Sequence, residues 1–285
     1  MTGWLIVNSF MDSDKFINLY EMLCNAFKKH QISLDIKRAS DISLEVGASI
    51  KVKPDFAIFW DKDIYLAKRL ESQGIRLFNR SKAVELCDNK ILMYQELVKH
   101  NIAIPKTFIA PKTFEGLGYT KRDFLLKVIK EINYPLIIKE AYGSFGEQVY
   151  LAKDLQTANQ IIDRIGYKDF LIQEFIKESE GKDIRVNVVG DKAIVSMLRE
   201  NKNDFRSNIS NGGTGLLFEP KQEYIDLAIR AAKALGLDFA GVDVLFGKDG
   251  PIICEVNSNP QFASTLKATG INLADFIADY IVKQL

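Results

Sequence analysis

The chain has 285 residues, 47% of them hydrophobic and 26% charged, which is globular composition with enough apolar material for a core and room for one large or two to three small domains. Lys and Arg number 38 against 37 Asp and Glu, and a net charge of +1 excludes a nucleic-acid binder working by bulk electrostatics, leaving only a local basic groove. Three cysteines without a C-x-x-C pair and 2 histidines exclude a disulfide framework, a thiolate zinc site and a His-rich metal site, and no apolar run is long enough to span a membrane, so a cytoplasmic protein with neither nucleic acid nor membrane as partner is expected.

Leu5-Ile6-Val7 predicts a short buried strand, and Phe16, Leu19, Tyr20, Leu23 and Phe27 predict an amphipathic helix over 15–29. Strands follow at 34–36, 56–60 and 77–78, with a helix over 64–70 ended by Gly74. Such alternation predicts a small parallel α/β unit over about the first hundred residues. A helix over 88–100 stops at Ile104-Pro105, and 107–109 is extended. A helix over 122–132 then leads to a strand at 135–139 and to the loop Ala141-Tyr142-Gly143-Ser144-Phe145-Gly146, which needs glycine's permissive backbone. A strand at 148–151, a helix over 155–165 and a strand at 170–175 come next. Strands at 184–189 and 193–198 run into a polar loop over 199–215. A helix over 222–235, strands at 241–246 and 251–256, and a closing helix over 271–285 finish the chain. No linker-like segment or repeat interrupts it, so one compact unit is expected.

Four constellations carry chemistry. Glu255 and Asn257 are two apart on a strand and share a face, with Val256 on the other; together with Asp243 they outline a hard-cation site suited to Mg²⁺. A pair of solvated strand ends is the alternative, though carboxylates among Val242, Val244, Leu245, Ile252 and Ile253 are costly to bury without a partner. Lys139 ends an apolar strand and, with Lys90 and the loop Tyr142 to Gly146, is placed to reach a polyphosphate; a surface lysine is the alternative, and the absence of a G-x-x-x-x-G-K-[ST] run excludes a P-loop. Gln173-Glu174-Phe175-Ile176 offers backbone groups to an adenine edge and Asp183 a carboxylate to ribose hydroxyls, or is a plain strand and hairpin. The segment 199–208, with Arg199 and Arg206, reads as a mobile lid bringing guanidinium charge to an anion, or as a solvated loop.

Read in this order, the motifs Gln173-Glu174-Phe175-Ile176-Lys177-Glu178, Gly181-Lys182-Asp183-Ile184-Arg185-Val186, Asp204-Phe205-Arg206-Ser207-Asn208 with Gly212-Gly213, Ala240-Gly241-Val242-Asp243 and Glu255-Val256-Asn257-Ser258-Asn259-Pro260 resemble the ATP-grasp superfamily. They are most similar to the RimK-type α-L-glutamate ligases and their LysX-like relatives, over about residues 75 to 285. The resemblance implies an α/β fold, α+β in its C-terminal part, with a preATP-grasp domain over 1–88, a central small subdomain carrying the glycine loop over 89–176 and a C-terminal subdomain carrying the metal ligands over 177–285. It implies that Lys90, Lys139, Gly143 and Ser144 hold the phosphates of ATP, that Gln173, Glu174, Phe175 and Ile176 surround the adenine, and that Asp183 takes the ribose. Asp243, Glu255 and Asn257 would hold two Mg²⁺, with Mn²⁺ as the alternative metal, and Arg206, Asn208 and Arg185 would be catalytic.

The implied reaction is ATP-dependent joining of a carboxylate acceptor (a peptide, a protein C-terminus or a small molecule) to an amino-acid amine through an acyl phosphate, in an assembly that for such relatives is often a homo-oligomer. Two other readings stand beside it: a nucleotide-binding module with a regulatory or carrier-binding role and no turnover, and a ligase with a free amino-acid acceptor. Two departures from the family pattern stand out. The loop 143–148 is poorer in glycine, and Gln261-Phe262 stands where relatives have a Pro-Gly turn, which points to a different acceptor pocket.

Overall fold

A computed structural model describes residues 1–42 and 45–285. Among these residues the strands form three sheets. The first is parallel, in the order β2-β1-β3-β4, from β1 (Thr2–Val7), β2 (Ser33–Arg38), β3 (Phe56–Trp60) and β4 (Leu77–Phe78). All five residues of β3, Phe56 to Trp60, are buried, as a strand covered on both faces must be. Between the strands run α1 (Asp14–Lys28), which buries Leu19, Tyr20, Leu23 and Phe27, and α2 (Ile64–Ser72), whose first turn is capped by the Asp63 carboxylate accepting from the Leu66 N–H at 3.0 Å.

The helix predicted over 88–100 is α4 (Lys90–Lys99), and before it stands α3 (Ser81–Asp88), which the sequence reading does not contain. Asn89 divides them: it leaves helical geometry and its side-chain oxygen accepts from the N–H groups of Ile91 and Leu92 at 2.9 and 3.2 Å. The second sheet is antiparallel, in the order β5-β8-β6-β7, from β5 (Thr107–Ile109), β6 (Leu136–Glu140), β7 (Val149–Ala152) and β8 (Phe170–Glu174), with α5 (Asp123–Glu131) and α6 (Leu155–Ile165) against it. The third is also antiparallel, in the order β11-β10-β9-β12-β13, from β9 (Lys182–Val189), β10 (Lys192–Glu200), β11 (Thr214–Leu217), β12 (Phe239–Gly247) and β13 (Gly250–Asn257), with α7 (Gln222–Ala234) packed on it.

The third sheet positions the site by strict alternation. Ile184, Val186, Val188, Ala240, Val242 and Val244 enter the core shared with α3, α4 and α7. Asp183, Arg185 and Asp243 fall between them and turn to the other face. On β13 the register shifts: Asp243 opposes Glu255 but Val244 opposes Ile253, so Cys254 is the extra residue of a bulge. The bulge lets Ile253 and Val256 both reach the core, while Cys254 and Glu255 both line the cleft on the opposite side.

Two further elements lie outside the sequence reading. β11 starts in the last two residues of the segment read as a loop and runs beyond it; its Leu216 and Leu217 are exposed, so no buried period marks it. The short α8 (Ala263–Thr269) buries only Thr265. The closing helix α9 (Leu273–Gln284) packs against α1, with Leu273, Ala274, Ile277, Ala278 and Ile281 in a core that also holds Leu5, Phe56 and Trp60. Among the described residues no helix is long and apolar enough to cross a membrane.

Candidate active site

The cleft lies between the second and third sheets, and Lys90, Lys139, Glu174, Asp183, Arg206 and Glu255 are among the residues that line it. Lys139, on β6, is buried, and its ammonium has the Tyr94 hydroxyl at 3.2 Å and the Cys254 Sγ at 3.7 Å as partners. Among the described residues no carboxylate lies within ion-pair distance of it, so this cation is short of neutralising charge in a place where a bare charge is costly. The Tyr94 hydroxyl is itself fixed, donating to the Cys254 carbonyl at 2.5 Å, and burial pushes the phenol up to about 12, so it stays a neutral donor and acceptor. Lys90 starts α4; its N–H donates to the Ala141 carbonyl at 2.8 Å, its ammonium to the Gly143 carbonyl at 3.1 Å, and Glu255 lies 3.5 Å away. Two ammonium groups thus enter one cleft from α4 and β6, that of Lys90 at the beginning of the glycine loop.

Across the third sheet, side chains facing the cleft form an in-register charge network. Asp183 and Arg199 are partners on β9 and β10, and Arg185 and Asp243 are partners on β9 and β12. Arg199 holds both oxygens of Asp183, at 2.7 and 2.5 Å, and reaches Asp243 Oδ2 at 2.9 Å. Arg185 grips Asp243 bidentately, Nε on Oδ1 and Nη2 on Oδ2. Burial works to raise the Asp243 carboxyl, but Arg185 and Arg199 outweigh it and hold it below the ordinary carboxylate range. The fit depends on Gly241, two residues before Asp243 and so on the same face: a Cβ there would meet Pro260 Cβ at 2.8 Å and Arg185 Nη1 at 3.0 Å.

Arg199 is where the sequence reading is corrected. It is the penultimate residue of β10, buried in the sheet, and not the start of a mobile lid. The signal was its spacing: alternation along 193–199 puts it on the face of Met197, directly across from Asp183.

The expected metal ligands come together. Asp243 and Glu255 are direct cross-strand neighbours, and Asn257, opposite Gly241, sits two residues further on the same side. Two carboxylates and an amide oxygen are hard donors that fit Mg²⁺ completed by phosphate oxygens and water. A carboxylate offers about four lone pairs, and Asp243 already spends three on guanidinium donors. Glu255 is the freer carboxylate, with the Lys90 ammonium 3.5 Å away as its ion-pair partner among the described residues, and Asn257 engages its amide nitrogen, not its oxygen, with the Gly241 carbonyl at 3.4 Å. Among the described residues no three His, Cys, Asp or Glu cluster for a metal, and Asn257 is the oxygen donor that stands beside the two carboxylates.

The remaining expected residues also line the cleft or border it. Past the end of β8 the backbone N–H groups of Phe175 and Ile176 have no acceptor among the described residues. Glu174 is tied back through its backbone N–H to the Lys106 carbonyl at 3.1 Å and through its carboxylate to the Lys106 N–H at 2.7 Å, which holds this edge open. Gln173 donates to Thr107 Oγ1 at 2.7 Å and stays under the floor of the cleft, buried. Asp183 spends one lone pair of each oxygen on Arg199 and retains others.

Arg206 is braced by Asp204, at 3.0 and 2.7 Å, and donates to the Gly146 carbonyl at 2.5 Å. Arg206 in turn holds the Asp204 carboxyl below its ordinary range through those hydrogen bonds. Asn208 lies against Gly146, whose φ of +76° and lack of a Cβ let the two approach: a Cβ there would meet Asn208 Oδ1 at 2.7 Å. Ser144 accepts from the Lys62 ammonium at 3.1 Å, and Lys62 pairs with Asp88 at 2.8 Å. Lys62, Tyr94 and Cys254 were not singled out from the sequence, because none belongs to a motif and only the folded register brings them to the site.

A sheet pair gripping a cleft edged by free backbone N–H groups, converging lysines and paired carboxylates is the architecture of an ATP-grasp protein. Residues 87–281 match the RimK-like ATP-grasp domain. The uncharacterized protein MG012 homolog of Mycoplasma pneumoniae is 34% identical over 90% of this chain and 91% of its own length. Human N-acetylaspartylglutamate synthase A is 36% identical over 79% of this chain and 57% of its own, and a probable alpha-L-glutamate ligase of Vibrio atlanticus is 37% identical over 76% and 71%. The chain therefore spans little more than half the length of the human synthase. The crystal structure of a RimK domain ATP-grasp protein from Sphaerobacter thermophilus superposes with a TM-score of 0.76 at 21% identity, covering 98% of this chain and 99% of that one. The chain belongs to the RimK-like ATP-grasp family by sequence, and its fold is the ATP-grasp fold.

Proposed function

We propose that the protein is an ATP- and Mg²⁺-dependent carboxylate–amine ligase that joins an amino acid, with glutamate as the first candidate, to a peptide, protein or small-molecule carboxylate. The observation that carries this is the buried ammonium of Lys139, left without a carboxylate and set beside Lys90 and the glycine loop: an anion the size of a polyphosphate completes that arrangement. The names of the relatives from human and Vibrio atlanticus, both of which carry glutamate, support the choice of amino acid.

In this reading Phe175 and Ile176 give their N–H groups to the adenine edge beside Glu174 and Gln173, Asp183 accepts from the ribose, and Lys90, Lys139, Gly143 and Ser144 hold the phosphates. Magnesium, or manganese in its place, would be held by Asp243, Glu255 and Asn257 and would neutralise phosphate oxygens. The acceptor carboxylate attacks the γ-phosphorus and ADP leaves; the amine then attacks the acyl carbon, phosphate leaves, the amine gives up a proton and an amide remains. No protein nucleophile is required. The chain's work is positioning and charge: Arg206, fixed by Asp204, faces the developing phosphate charge with Asn208 beside it, and Arg185, fixed by Asp243, meets it from the adjoining cavity. The division into parts over 1–88, 89–176 and 177–285 is supported by the three sheets, and the cytoplasm, where ATP is supplied, is the compartment this chemistry suits.

The test is ADP release from ATP and Mg²⁺ against a panel of amino acids and carboxylates, with mass spectrometry for the new amide. Glu255→Ala is expected to abolish turnover and leave the fold intact, since the side chain is partly exposed and packs no core. A fully active Glu255→Ala enzyme would sink the metal assignment; nucleotide binding with no product across the panel would favour a clasp that binds without turning over.

A further inference from the structure

A second cavity opens between the first sheet and the far side of the charge network, lined by Lys15, Trp60, Asp61, Arg185, Glu255 and Gln261 among others. Asp61 follows β3 directly and is 4% exposed. Its Oδ1 accepts from the Lys62 N–H at 2.7 Å and from Asn8 Nδ2 at 3.1 Å, whereas its Oδ2 is buried with no partner among the described residues. Gln261 Oε1 is in the same condition. The two residues come from distant parts of the chain and are brought to one place by their neighbours, for the rings of Trp60 and Phe262 meet edge-on at 5.8 Å.

Buried oxygens without donors are rare because each forfeits the hydrogen bonds it had in water. Both orphans are acceptors on residues that line one cavity, so each lacks a donor, and one group with several N–H bonds would serve the two together. One carboxylate and one amide oxygen suit an ammonium, which has three N–H donors and one positive charge. Burial pushes the Asp61 carboxyl above its ordinary range, and a bound cation is what would hold it ionised. Glu255 lines both cavities, so a group seated here lies next to the proposed phosphate-transfer centre. Lys15 at the rim supplies positive charge for a carboxylate on the same ligand.

We propose that this cavity reads the primary ammonium of an amino-acid substrate, with Asp61 Oδ2 and Gln261 Oε1 as its acceptors. The proposal rests on the ligase reading above and deepens it, since it states what the enzyme recognises in its second substrate. It also gives a use to Gln261, the residue that departs from the family's turn.

The full chain, saturated with Mg²⁺ and the non-hydrolysable analogue AMPPNP, is titrated calorimetrically with L-glutamate and with glutarate, which differs only in lacking the amine. Wild type is expected to bind L-glutamate about tenfold or more tightly than glutarate, the scale of a charged hydrogen bond. Asp61→Asn, which preserves shape, brings the two ligands within about twofold, Gln261→Ala narrows the gap, and Asp61→Glu restores part of it, while AMPPNP affinity stays unchanged in all three. Wild type that binds both ligands equally, or neither, overturns the proposal, as does Asp61→Asn with its preference intact. Failure to bind AMPPNP would instead sink the ligase reading itself. In the ADP-release assay Asp61→Asn is expected to raise the KM of the amine substrate alone, and a rise confined to the carboxylate substrate overturns the assignment to the second substrate.

Discussion

Asp243 shows how one side chain serves stability and chemistry together. Its side chain is 4% exposed, those of Arg185 and Arg199 are 11% and 6% exposed and that of Asp183 is 8% exposed, so two carboxylates and two guanidinium groups neutralise each other out of water. Removing the Asp243 charge leaves the two buried guanidinium groups with Asp183 alone as counter-charge. Asp243→Asn is expected to lower unfolding free energy at pH 7 by about 3 kcal/mol or more, as for other buried pairs that lose one partner. The pH dependence has a definite sign. Burial raises this carboxyl and the two arginines more than offset that, so the folded form titrates below the unfolded form's ~3.9 and binds fewer protons. The contribution is therefore whole above about pH 4 and lost as pH falls through the folded value. Urea unfolding in EDTA from pH 7 to pH 3 should show wild type losing its margin over Asp243→Asn in that range; a margin independent of pH would mean the ion pair is not what Asp243 contributes. The identity of this residue was legible, since D followed by E-x-N on neighbouring strands reads as oxygen donors. Its arginine partners were not, because a period of two says which face a side chain takes and nothing about which strand lies beside it.

Elements, more than residues, decided what could be read from sequence. Helices with a wide apolar stripe, such as α1 and α7, and strands with unbroken apolar runs, such as β3, stand where the pattern puts them. The exceptions each have a local cause. α3 was not read at all, since its eight residues make barely two turns and show too little of the helical period, and Asn89, whose oxygen caps α4, separates it from the helix that was read. The bulge at Cys254 was equally hidden, since one extra residue in a strand looks like any other apolar position. Both irregularities aim functional groups: one places Lys90 at a helix start facing the glycine loop, the other turns Cys254 and Glu255 to the cleft together. Asn89→Ala is expected to cost about 1 kcal/mol in urea unfolding, the usual worth of an N-cap, and to raise the KM for ATP more than it lowers kcat, because Lys90 binds and does not react. An unchanged KM at that loss of stability would detach Lys90 from the nucleotide.

At the scale of the molecule, the cores indicate which part can move. One core runs from the first sheet through Val189 and Phe239 of the third and Phe262 before α8 to α9, with Trp60 stacked on Phe239 at 5.2 Å, so these two sheets behave as one body. The second sheet has its own core, from Tyr119 through Leu125, Leu136 and Ile162 to Ile172, and among the described residues shares with the other sheets' cores little beyond Leu171. Across the cleft it is joined by polar contacts instead: Arg206 to the Gly146 carbonyl, Asn211 Nδ2 to the Phe145 carbonyl at 3.2 Å, and Lys62 to Ser144. Apolar cores hold rigid bodies together, while a few solvent-bordering hydrogen bonds open at low cost. The glycine loop and the segment 201–213 should therefore exchange amide hydrogens faster than β3 or β9 in the free protein. Adding Mg²⁺ and AMPPNP is expected to slow exchange about tenfold or more in both segments, with β3 unchanged, because the phosphates supply the anion that Lys90, Lys139 and Arg206 face. Arg206→Ala should bind the nucleotide yet lose most of that protection in 201–213, and its kcat should fall on the order of 10²-fold, the scale for loss of one preorganised donor. Hydrogen-exchange mass spectrometry reads all three segments in one experiment. Equal protection of β3 and the glycine loop would mean that the molecule tightens as a whole, and the second sheet would then have no closure of its own.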